Sequence, residues 1–449
     1  KDNGQNTALT LAAWRGHKDI VDYLILMNAE VPITGFKAKD LFEYALSKKL
    51  SNLYSTILNK GGQIDSLIIK GHTALHLASK GGAVVIIEDL INKGLCVNVV
   101  DTFGMYPIHY AAKYGSLEAI KVLVENGAQI NSKSFWGETP YNLAEKVGNG
   151  EIASFLIRIG ADTAKVEKSP IKGIYFGFES PKNEPELFAP GLTSNLVGGH
   201  SNVIFSPDGK AACWTEWNLT EEGYANGCKI WYTRIVGEFW KTPEIILQKG
   251  DTPFFSSDGK RMYFINYTLQ PNSKQTREIY YFDVSNDNVL RETHKLPFSI
   301  FNTGLYWQFS LDKDNTIYFG ANHHLFRSVL ISDNYKEPEN LTEVYHPNYI
   351  GGSPFISPNG DYIIFSSGEI GETHGLSDLY IGFRMTNGHW TSPINMGPEI
   401  NTRFDDHLPF VSVDGKNLFY VTTKNEVKGT YWINSEIINR LQFKALSAE

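Results

Sequence analysis

A β-hairpin that recurs five times constrains the fold of this chain more than any other feature. Its first copy, HSNVIFSPDGKAACWTEW at 200–217, reads as an apolar strand, a tight turn and a second strand. Asp-Gly between two apolar runs is a strong hairpin signal, because Gly accepts the positive φ that such turns need. Four further copies follow at 252–267, 305–322, 353–367 and 408–423. The turn residues are 50, 54, 47 and 55 apart, a period typical of propeller blades, and they are Asp208, Asp258, Asp312, Asn359 and Asp414.

Each copy predicts a unit of four strands, the first two of which are the hairpin. The third strands are predicted at 229–236, 277–284, 324–331, 377–384 and 429–436. The fourth is a Pro-containing edge strand, where a missing backbone N–H is tolerated. The last unit has no such segment, so we predict that residues 185–192 supply it and close the ring. Five blades result, and a sixth blade within 285–305 is the alternative.

The part of the chain before position 166 carries a different and shorter period. Alanines recur at one constant spacing, at Ala12, Ala45, Ala78, Ala111 and Ala144. Glycines recur at the same spacing, at Gly61, Gly94, Gly127 and Gly160. Each unit reads as a turn, a short helix, a Gly-containing turn and an amphipathic helix. The small Ala lets neighbouring helices approach, and the Gly supplies a left-handed C-terminal cap.

These units resemble the ankyrin repeat, as in GHTALHLASKGGAVVIIEDLINKGLCVN at 71–98. Five units fit, and since the first lacks a polar cap we expect further repeats upstream. The resemblance implies a binding scaffold rather than a catalyst. We therefore predict a multidomain α plus all-β chain, an ankyrin α-solenoid followed by a β-propeller. The predicted boundaries are 1–164 for the repeats, 165–184 for a linker, 185–441 for the propeller and 442–449 for a tail.

The Ser-Pro-Asp-Gly-Lys turn followed by an aromatic-rich strand resembles the TolB-like, WD-repeat-like propellers of bacterial envelopes. The segments Pro185–Gly191, Gly397–Thr402 and Asp405–Phe410 strengthen the likeness. The resemblance implies a periplasmic or secreted bacterial protein that binds a protein, a glycan or a peptidoglycan-associated partner.

Charge and composition exclude some partners. Residues 1–165 hold 17 Lys and Arg against 16 Asp and Glu, which leaves 24 basic and 33 acidic residues for the remainder. Nucleic-acid binding needs a basic footprint, so we expect no nucleic-acid partner. No apolar run has the length of a bilayer span. Cys213 and Cys228 lie on neighbouring predicted strands, and a disulfide and two thiols are equally compatible with this placement.

No phosphate-binding loop, nucleophile elbow, His-Glu-x-x-His helix or zinc-spaced cysteine pair is present. One constellation remains, just before the innermost strands, at one predicted mouth of the propeller channel. Its ligand-binding candidates are His200, Asp251, Tyr306, Trp307, Asp406 and His407. Two His and two Asp could bind a divalent metal or act as acid and base. The plainer interpretation is that these side chains cap strand ends; no cofactor and no catalytic residue are assigned.

The ankyrin hairpin tips supply the partner-binding candidates Phe103, Phe135 and Trp136. Exposed aromatics mark contact surfaces, although packing against the propeller is an equal alternative. His76 and His109 are predicted to form structural hydrogen bonds to the neighbouring turn. The leading function is a non-catalytic protein- or glycan-binding scaffold of the cell envelope. The alternative is a glycosidase- or lyase-type enzyme with its site at the channel mouth.

Overall fold

A computed structural model describes the chain except for residues 1–6, 33–35, 63–67, 70–71, 102–103, 165, 167–169, 190–201, 218–227, 270–274, 285–291, 297–304, 322–323, 333, 342–350, 369, 371–372, 425–426 and 448–449. The chain divides into two compact units, Lys1–Pro170 and Ile171–Glu449.

The first unit consists of five pairs of short helices. The helices are α1 (Ala8–Arg15), α2 (Lys18–Leu26), α3 (Phe36–Ser47), α4 (Ser51–Asn59), α5 (Ala74–Gly81), α6 (Val84–Asn92), α7 (Pro107–Tyr114), α8 (Leu117–Glu125), α9 (Pro140–Lys146) and α10 (Gly150–Arg158), with a small hairpin of β1 (Ile68–Ile69) and β2 (His72–Thr73) before α5. First helices contact first helices of the next pair throughout, and second helices contact second helices from α2 to α8. The predicted repeat is therefore a stack of helix pairs.

The recurring alanines explain how closely the pairs stack. All five, from Ala12 to Ala144, are buried in one continuous apolar core. Any larger side chain there would force neighbouring first helices apart, since packed cores tolerate added volume poorly. The polar groups of the helix ends are also satisfied locally. At α9 the Thr139 hydroxyl accepts from Asn142 N at 3.2 Å, and Asn142 Oδ1 accepts from Thr139 N at 2.9 Å, a capping box.

One position of the second helix shows how stacking changes the exposure of a side chain. Leu53, Ile86, Ala119 and Ile152 occupy equivalent positions of successive repeats and are each at most 3% exposed. Ile20 occupies the same position in the first pair and is 51% exposed. The later repeats bury this position in the stack, whereas the first repeat presents it at the surface.

This contrast yields a matched pair of stability measurements. Leu53→Ala is expected to lower the free energy of unfolding by about 2–5 kcal/mol, because it leaves a cavity in the core. Ile20→Ala is expected to lower it by less than about 1 kcal/mol, since half of the side chain already contacts water. Urea denaturation followed by the helical circular dichroism signal measures both values, and equal losses would contradict the assigned packing.

The second unit contains four four-stranded antiparallel sheets and one five-stranded antiparallel sheet, and these five sheets confirm the five-bladed propeller. In chain order the strands are β3 (Glu186–Leu187); β4 (Ile204–Phe205), β5 (Ala211–Trp217), β6 (Cys228–Val236), β7 (Phe239–Trp240) and β8 (Glu244–Leu247); β9 (Asp251–Phe255), β10 (Arg261–Leu269), β11 (Gln275–Asp283) and β12 (His294–Lys295); β13 (Leu305–Leu311), β14 (Ile317–Ala321), β15 (His324–Ser328), β16 (Leu330–Ile331), β17 (Asn334–Tyr335) and β18 (Glu339–Asn340); β19 (Gly351–Ile356), β20 (Tyr362–Ser367), β21 (Asp378–Phe383) and β22 (Ile394–Asn395); and β23 (His407–Val411), β24 (Asn417–Lys424) and β25 (Val427–Asn434). A final helix, α11 (Glu436–Ser447), follows.

Blades 1 to 5 are the sheets that begin with β4, β9, β13, β19 and β23. Strand β12 lies within 285–305 and completes blade 2, so this stretch does not supply the sixth blade of the alternative interpretation. In blades 1, 3 and 4 a Pro directly precedes the outermost strand, β8, β18 or β22, where its missing N–H removes no ladder bond.

Blade 5 takes its fourth strand from the beginning of the propeller, as predicted. Strand β3 pairs with β25, with Leu187 opposite Tyr431 and Glu186 opposite Trp432. Phe188 follows directly; its N–H donates to Thr430 O at 2.8 Å. The two ends of the propeller are thus held together by backbone hydrogen bonds, and blade 5 has no open edge there.

The hairpin turns of blades 1, 2 and 5 share one hydrogen-bond pattern. In blade 1 the Ser206 hydroxyl and the Lys210 N–H both donate to Asp208 Oδ1, at 2.6 and 3.0 Å, and Gly209 has a φ of 68°. Blade 3 departs from the predicted alignment, because Asn315 with a φ of 58° stands in the Gly position. Its turn is one residue shorter, and Asp314, not Asp312, aligns with Asp208. Asp312 takes the role of the Ser and accepts from Thr316 N at 2.9 Å.

Part of the predicted linker packs into the propeller. Residues 174–177 form a 3-10 turn in which Tyr175 and Phe176 have φ values of 51° and 57°. Left-handed backbone is strained for aromatic residues, and packing holds it here. The Phe176 ring lies 4.4 Å from that of Trp240, whose Nε1 donates to Gly173 O at 2.6 Å.

Cys213 and Cys228 are buried thiols, not a disulfide. The strand register places Cys213 opposite Tyr232 and Cys228 opposite Trp217, at the far end of β5 from Cys213. Burial raises the pKa of both thiols, so neither has the thiolate character that reactive cysteines need.

Candidate functional site

Equivalent residues of the innermost strands converge on one cavity. Each stands four positions before the first turn residue of its blade. Asn202, Thr252, Gln308 and Leu408 line the cavity, and Ser353 is the equivalent residue of blade 4. The cavity has a volume of about 10 Å³, and its lining residues are Asn202, Ile204, Thr252, Pro253, Phe254, Gln308, Phe309 and Leu408. Pockets that bind small molecules usually have volumes of roughly 300–1,000 Å³. This axial cavity is therefore small for a substrate.

The polar side chains of the axial cavity connect blades to one another. Asn202 Nδ2 donates to Leu408 O at 2.8 Å, and Gln308 Nε2 donates to Pro409 O at 3.1 Å. These bonds join blades 1 and 3 to blade 5. Buried side-chain amides that bond backbone carbonyls of another blade fix the relative position of the blades. The polar side chains of the axial cavity therefore serve mainly to hold the blades in place.

Three axial residues are strained in the same way. Thr252, Ser353 and Leu408 have φ values of 42°, 51° and 53°. Each precedes a proline, and each lies where the pairing of the innermost strand shifts register. A β-bulge breaks the ladder and re-aims the side chain. The Pro at the same place in three blades is a sequence signal that could have located these axial positions.

Three of the predicted channel-mouth side chains are described, those of Asp251, Asp406 and His407, and none of them lines the axial cavity. Asp251 is buried, and its Oδ1 accepts from Thr252 N at 2.7 Å. His407 is largely buried, with Nδ1 3.1 Å from Asp405 O. His200 lies outside the described residues, as do the side chains of Tyr306 and Trp307, although both belong to β13. In the described part of the chain no group of three His, Cys, Asp or Glu side chains could hold a metal ion.

Asp406 is held in a closed hydrogen-bond network. Its Oδ2 accepts from Thr402 N at 2.6 Å, and its Oδ1 accepts from the hydroxyls of Thr402, at 3.1 Å, and Thr422. Burial, above all, raises the pKa of Asp406 to about 6, and the negative charge of Asp378 adds to the rise. A carboxylate whose two oxygens are occupied in this way fixes the position of the loop before blade 5, and both of its oxygens face groups of the protein.

Asp378 is a second buried carboxylate that sequence reasoning missed. It begins β21, and its Oδ2 accepts from His374 N at 2.8 Å and from Asn395 Nδ2 at 2.7 Å. Local sequence gives no sign that Asp378 and Asp406 are neighbours, because they belong to different blades. Two like charges in one buried region disfavour ionisation of one of them.

Asp406→Asn is expected to raise the free energy of unfolding by about 1–3 kcal/mol at pH 7. The raised pKa means that the folded protein keeps a proton between pH 3.8 and about 6 that the unfolded chain has lost. Wild-type stability from this group therefore falls as pH rises through that window. Asparagine removes the buried charge, so the gain should disappear below about pH 4. Denaturation midpoints of both proteins across this pH range measure the difference in stability. A variant less stable than wild type at pH 7 would contradict the raised pKa of Asp406.

The ankyrin tips divide into exposed and buried aromatics. Phe135 is 44% exposed and Trp136 only 7%, while Phe103 lies outside the described residues. A Cβ built on Gly104 would stand 2.5 Å from the Phe135 ring, so adjacent tips are in close contact. Of the two described aromatics, Phe135 is the one accessible to a partner; partner binding at these tips remains a prediction.

His76 and His109 make the predicted structural hydrogen bonds. His76 Nε2 lies 3.0 Å from Met105 O, and His109 Nε2 lies 3.1 Å from Glu138 O. Each bond runs from a first helix to the hairpin that follows its repeat. Burial lowers the pKa of both imidazoles to about 4, so both are neutral at pH 7.

A buried ionic network supports the same region. Asp101 Oδ2 lies 2.9 Å from His72 Nδ1 and accepts from the Tyr110 hydroxyl at 2.7 Å, and Asp101 Oδ1 accepts from Met105 N at 2.9 Å. The carboxylate joins strand β2, its own hairpin and helix α7. No nucleophile stands in this network, so its contacts indicate positioning of the hairpin.

Comparison with known families bears on the first unit. A model of ankyrin repeats in three copies matches residues 41–134 and 86–167, and a model of the single ankyrin repeat matches residues 4–35. No curated protein matches the chain. Among the described residues, no helix has the length and apolar character needed to cross a membrane. The first unit is an ankyrin-repeat domain, and together with the five-bladed β-propeller it marks the chain as a protein-interaction scaffold.

Proposed function

We propose that this chain is a non-catalytic scaffold of the bacterial cell envelope, periplasmic or secreted, that binds a protein or glycan partner through its ankyrin and propeller surfaces. The envelope assignment is supported by the Ser-Pro-Asp-Gly-Lys turn and its aromatic strand, which resemble TolB-like propellers. The binding role is supported by the ankyrin repeats, whose stacked architecture presents an extended surface.

One observation carries the non-catalytic part of the proposal. Asp251 and Asp406, the two carboxylates predicted at the channel mouth, are both buried, and both accept hydrogen bonds from neighbouring backbone N–H groups. A glycosidase needs two carboxyl groups facing one bound sugar, about 5 to 10 Å apart. Carboxylates that cap their own strand ends are poorly placed for such work, so the enzymatic alternative is the weaker one.

Partner binding is tested by site-specific photo-crosslinking. A photoreactive phenylalanine analogue replaces Phe135 in one sample and the exposed Phe443 of α11 in a matched control. Both proteins are irradiated in extracts of the source cell envelope. We expect a discrete crosslinked band with the Phe135 probe and none with the Phe443 probe. Identical patterns for the two probes would refute binding at the ankyrin tips.

The location is tested separately by cell fractionation. The chain should be found in the fraction released by osmotic shock or in the washed envelopes. A cytoplasmic enzyme serves as the marker for leakage from the cytoplasm. Recovery with that marker alone would overturn the envelope part of the proposal and leave the scaffold part intact.

A further inference from the structure

The turns between the paired helices of the ankyrin domain are uniformly basic. They span 14–17, 47–50, 80–83, 113–116 and 146–149 and contain no Asp or Glu. Their basic side chains are Arg15, Lys48, Lys49, Lys80, Lys113 and Lys146. Residues 1–165 as a whole are almost neutral, with 17 basic and 16 acidic residues. Six of the 17 basic residues therefore lie in these turns, and one of the six, Lys146, forms an ion pair with Glu138, with its Nζ 3.0 Å from Oε1.

Glycine contacts show that turns of successive repeats are neighbours. A Cβ on Gly16 would lie 3.5 Å from the Lys48 side chain, and one on Gly82 would lie 3.4 Å from Lys49 Nζ and 2.5 Å from Ser116 Oγ. A Cβ on Gly115 would lie 3.3 Å from Asn149. The five turns thus form one continuous strip across the stack, which we call the basic ridge (residues 14–17, 47–50, 80–83, 113–116 and 146–149).

The basic ridge also presents apolar surface. Tyr114 is 45% exposed, with Lys80 Nζ 5.1 Å and Lys113 Nζ 5.7 Å from its ring centre. Trp14 and Val147 are exposed at the two ends of the ridge. Cations beside accessible aromatic and aliphatic groups offer a binding segment both charge pairing and apolar contact.

Helix electrostatics alone do not explain this pattern. A basic group after a first helix is favourable, because the C-terminal end of a helix carries partial negative charge. The second helices α2, α8 and α10 have an acidic residue in their first turn, at Asp19, Glu118 and Glu151, where partial positive charge favours it. The first turn of α4 has none, and Lys48 and Lys49 precede its N-terminal cap, Leu50. Helix electrostatics therefore does not explain these two lysines.

From these observations we infer that the basic ridge binds an extended, acidic protein segment laid along the stack, an inference that rests on the scaffold function proposed above. Each repeat contributes at least one cation, so the charges form a line, as successive carboxylates of an extended chain require. A nucleic acid fits less well, because six charges on a nearly neutral domain, in a chain of net charge −8, give little long-range attraction.

The test measures fluorescence anisotropy of the full chain with a labelled peptide of alternating Glu and Ser, about as long as the stack. Matched probes are a Lys-Ser peptide and a single-stranded oligonucleotide. The ridge variant carries Lys48→Gln, Lys113→Gln and Lys146→Gln. The control variant carries Lys60→Gln, Lys93→Gln and Lys121→Gln, which lie outside the ridge. Circular dichroism verifies that both variants remain folded.

We expect the acidic peptide to bind the wild-type chain at low salt and to dissociate as salt rises. The ridge variant should bind at least about tenfold more weakly, and the control variant within about twofold of wild type. Equal binding to both variants, no binding to wild type, or tighter binding of the oligonucleotide would overturn the inference. Because the crosslinking at Phe135 does not depend on the ridge, failure here leaves the scaffold proposal testable on its own.

Discussion

Replacing Phe188 with alanine is expected to lower the free energy of unfolding of the propeller by about 3–5 kcal/mol. Phe188 is fully buried directly after the closing strand β3. Its ring centre lies 4.9 Å from that of Trp432 and 5.1 Å from that of Phe419 in blade 5, and 5.7 Å from that of Phe205 in blade 1. One side chain therefore contributes to both sides of the ring closure, and its loss leaves a cavity between the first and last blades.

The measurement is chemical denaturation followed by near-ultraviolet circular dichroism, which reports the packed aromatic side chains of the propeller. Phe443→Ala is the matched control, because Phe443 is 78% exposed on α11 and should cost little. Similar losses in the two variants would show that Phe188 does not anchor the closure. Phe188→Leu should recover part of the stability, because it refills most of the cavity.

Acidification from about pH 6.5 to about pH 4 is expected to destabilise the ankyrin domain. Burial lowers the pKa of His76 and His109 to about 4, whereas an unfolded histidine titrates near 6.5. Between these values the unfolded chain binds protons that the folded chain excludes, so stability falls as pH falls. Each histidine contributes up to about 3 kcal/mol, and the contribution is fully present only above the unfolded pKa.

A natural substitution in this chain supplies the control for the pH experiment. Asn142 occupies the position of His76 and His109 in the last repeat. It accepts from Thr139 N at 2.9 Å and donates from Nδ2 to Ala164 O at 3.0 Å. His76→Asn with His109→Asn should therefore fold and flatten the pH dependence, as seen in urea midpoints by far-ultraviolet circular dichroism. An unchanged dependence of stability on pH would mean that groups other than His76 and His109 take up the protons on unfolding.

Features encoded by short segments could be predicted from the sequence. The Asp-Gly turns give the hairpins, the regular spacing of Ala and Gly gives the helix pairs, and the absent fourth strand of the last unit points to residues 185–192. These inferences succeed because a turn, a helix cap or an edge proline depends mainly on its immediate neighbours.

Features that depend on long-range packing were not predicted. Strand β12 has no proline-containing signature, and its place in blade 2 comes only from pairing with β11. Tyr175 and Phe176 adopt left-handed backbone because the propeller surface holds them, and nothing local favours that conformation. Helix α11 follows the last blade, and only Ile437, Ile438 and Ala445 of its apolar side chains are buried.

The sequence located the region of the candidate site, but the side chains that line the axial cavity are not the ones that were predicted. Two of the predicted residues, Asp251 and Asp406, are buried beside the innermost strands, but each is held by the backbone around it. The residues that converge on the axial cavity stand one or two positions further along the chain, at Thr252 and Leu408. A bulge in the innermost strand causes this difference, and a regular strand pattern does not reveal a bulge.

The scaffold account is tested most directly by comparing partner capture among variants, with the photoreactive analogue at Phe135 throughout. Asp251→Asn and Asp406→Asn remove two carboxylates of the predicted channel mouth and leave the ankyrin surface unchanged. The account predicts that both carboxylate variants retain the crosslinked partner. Loss of the crosslinked partner in either folded carboxylate variant would contradict the account and locate the function at the propeller channel.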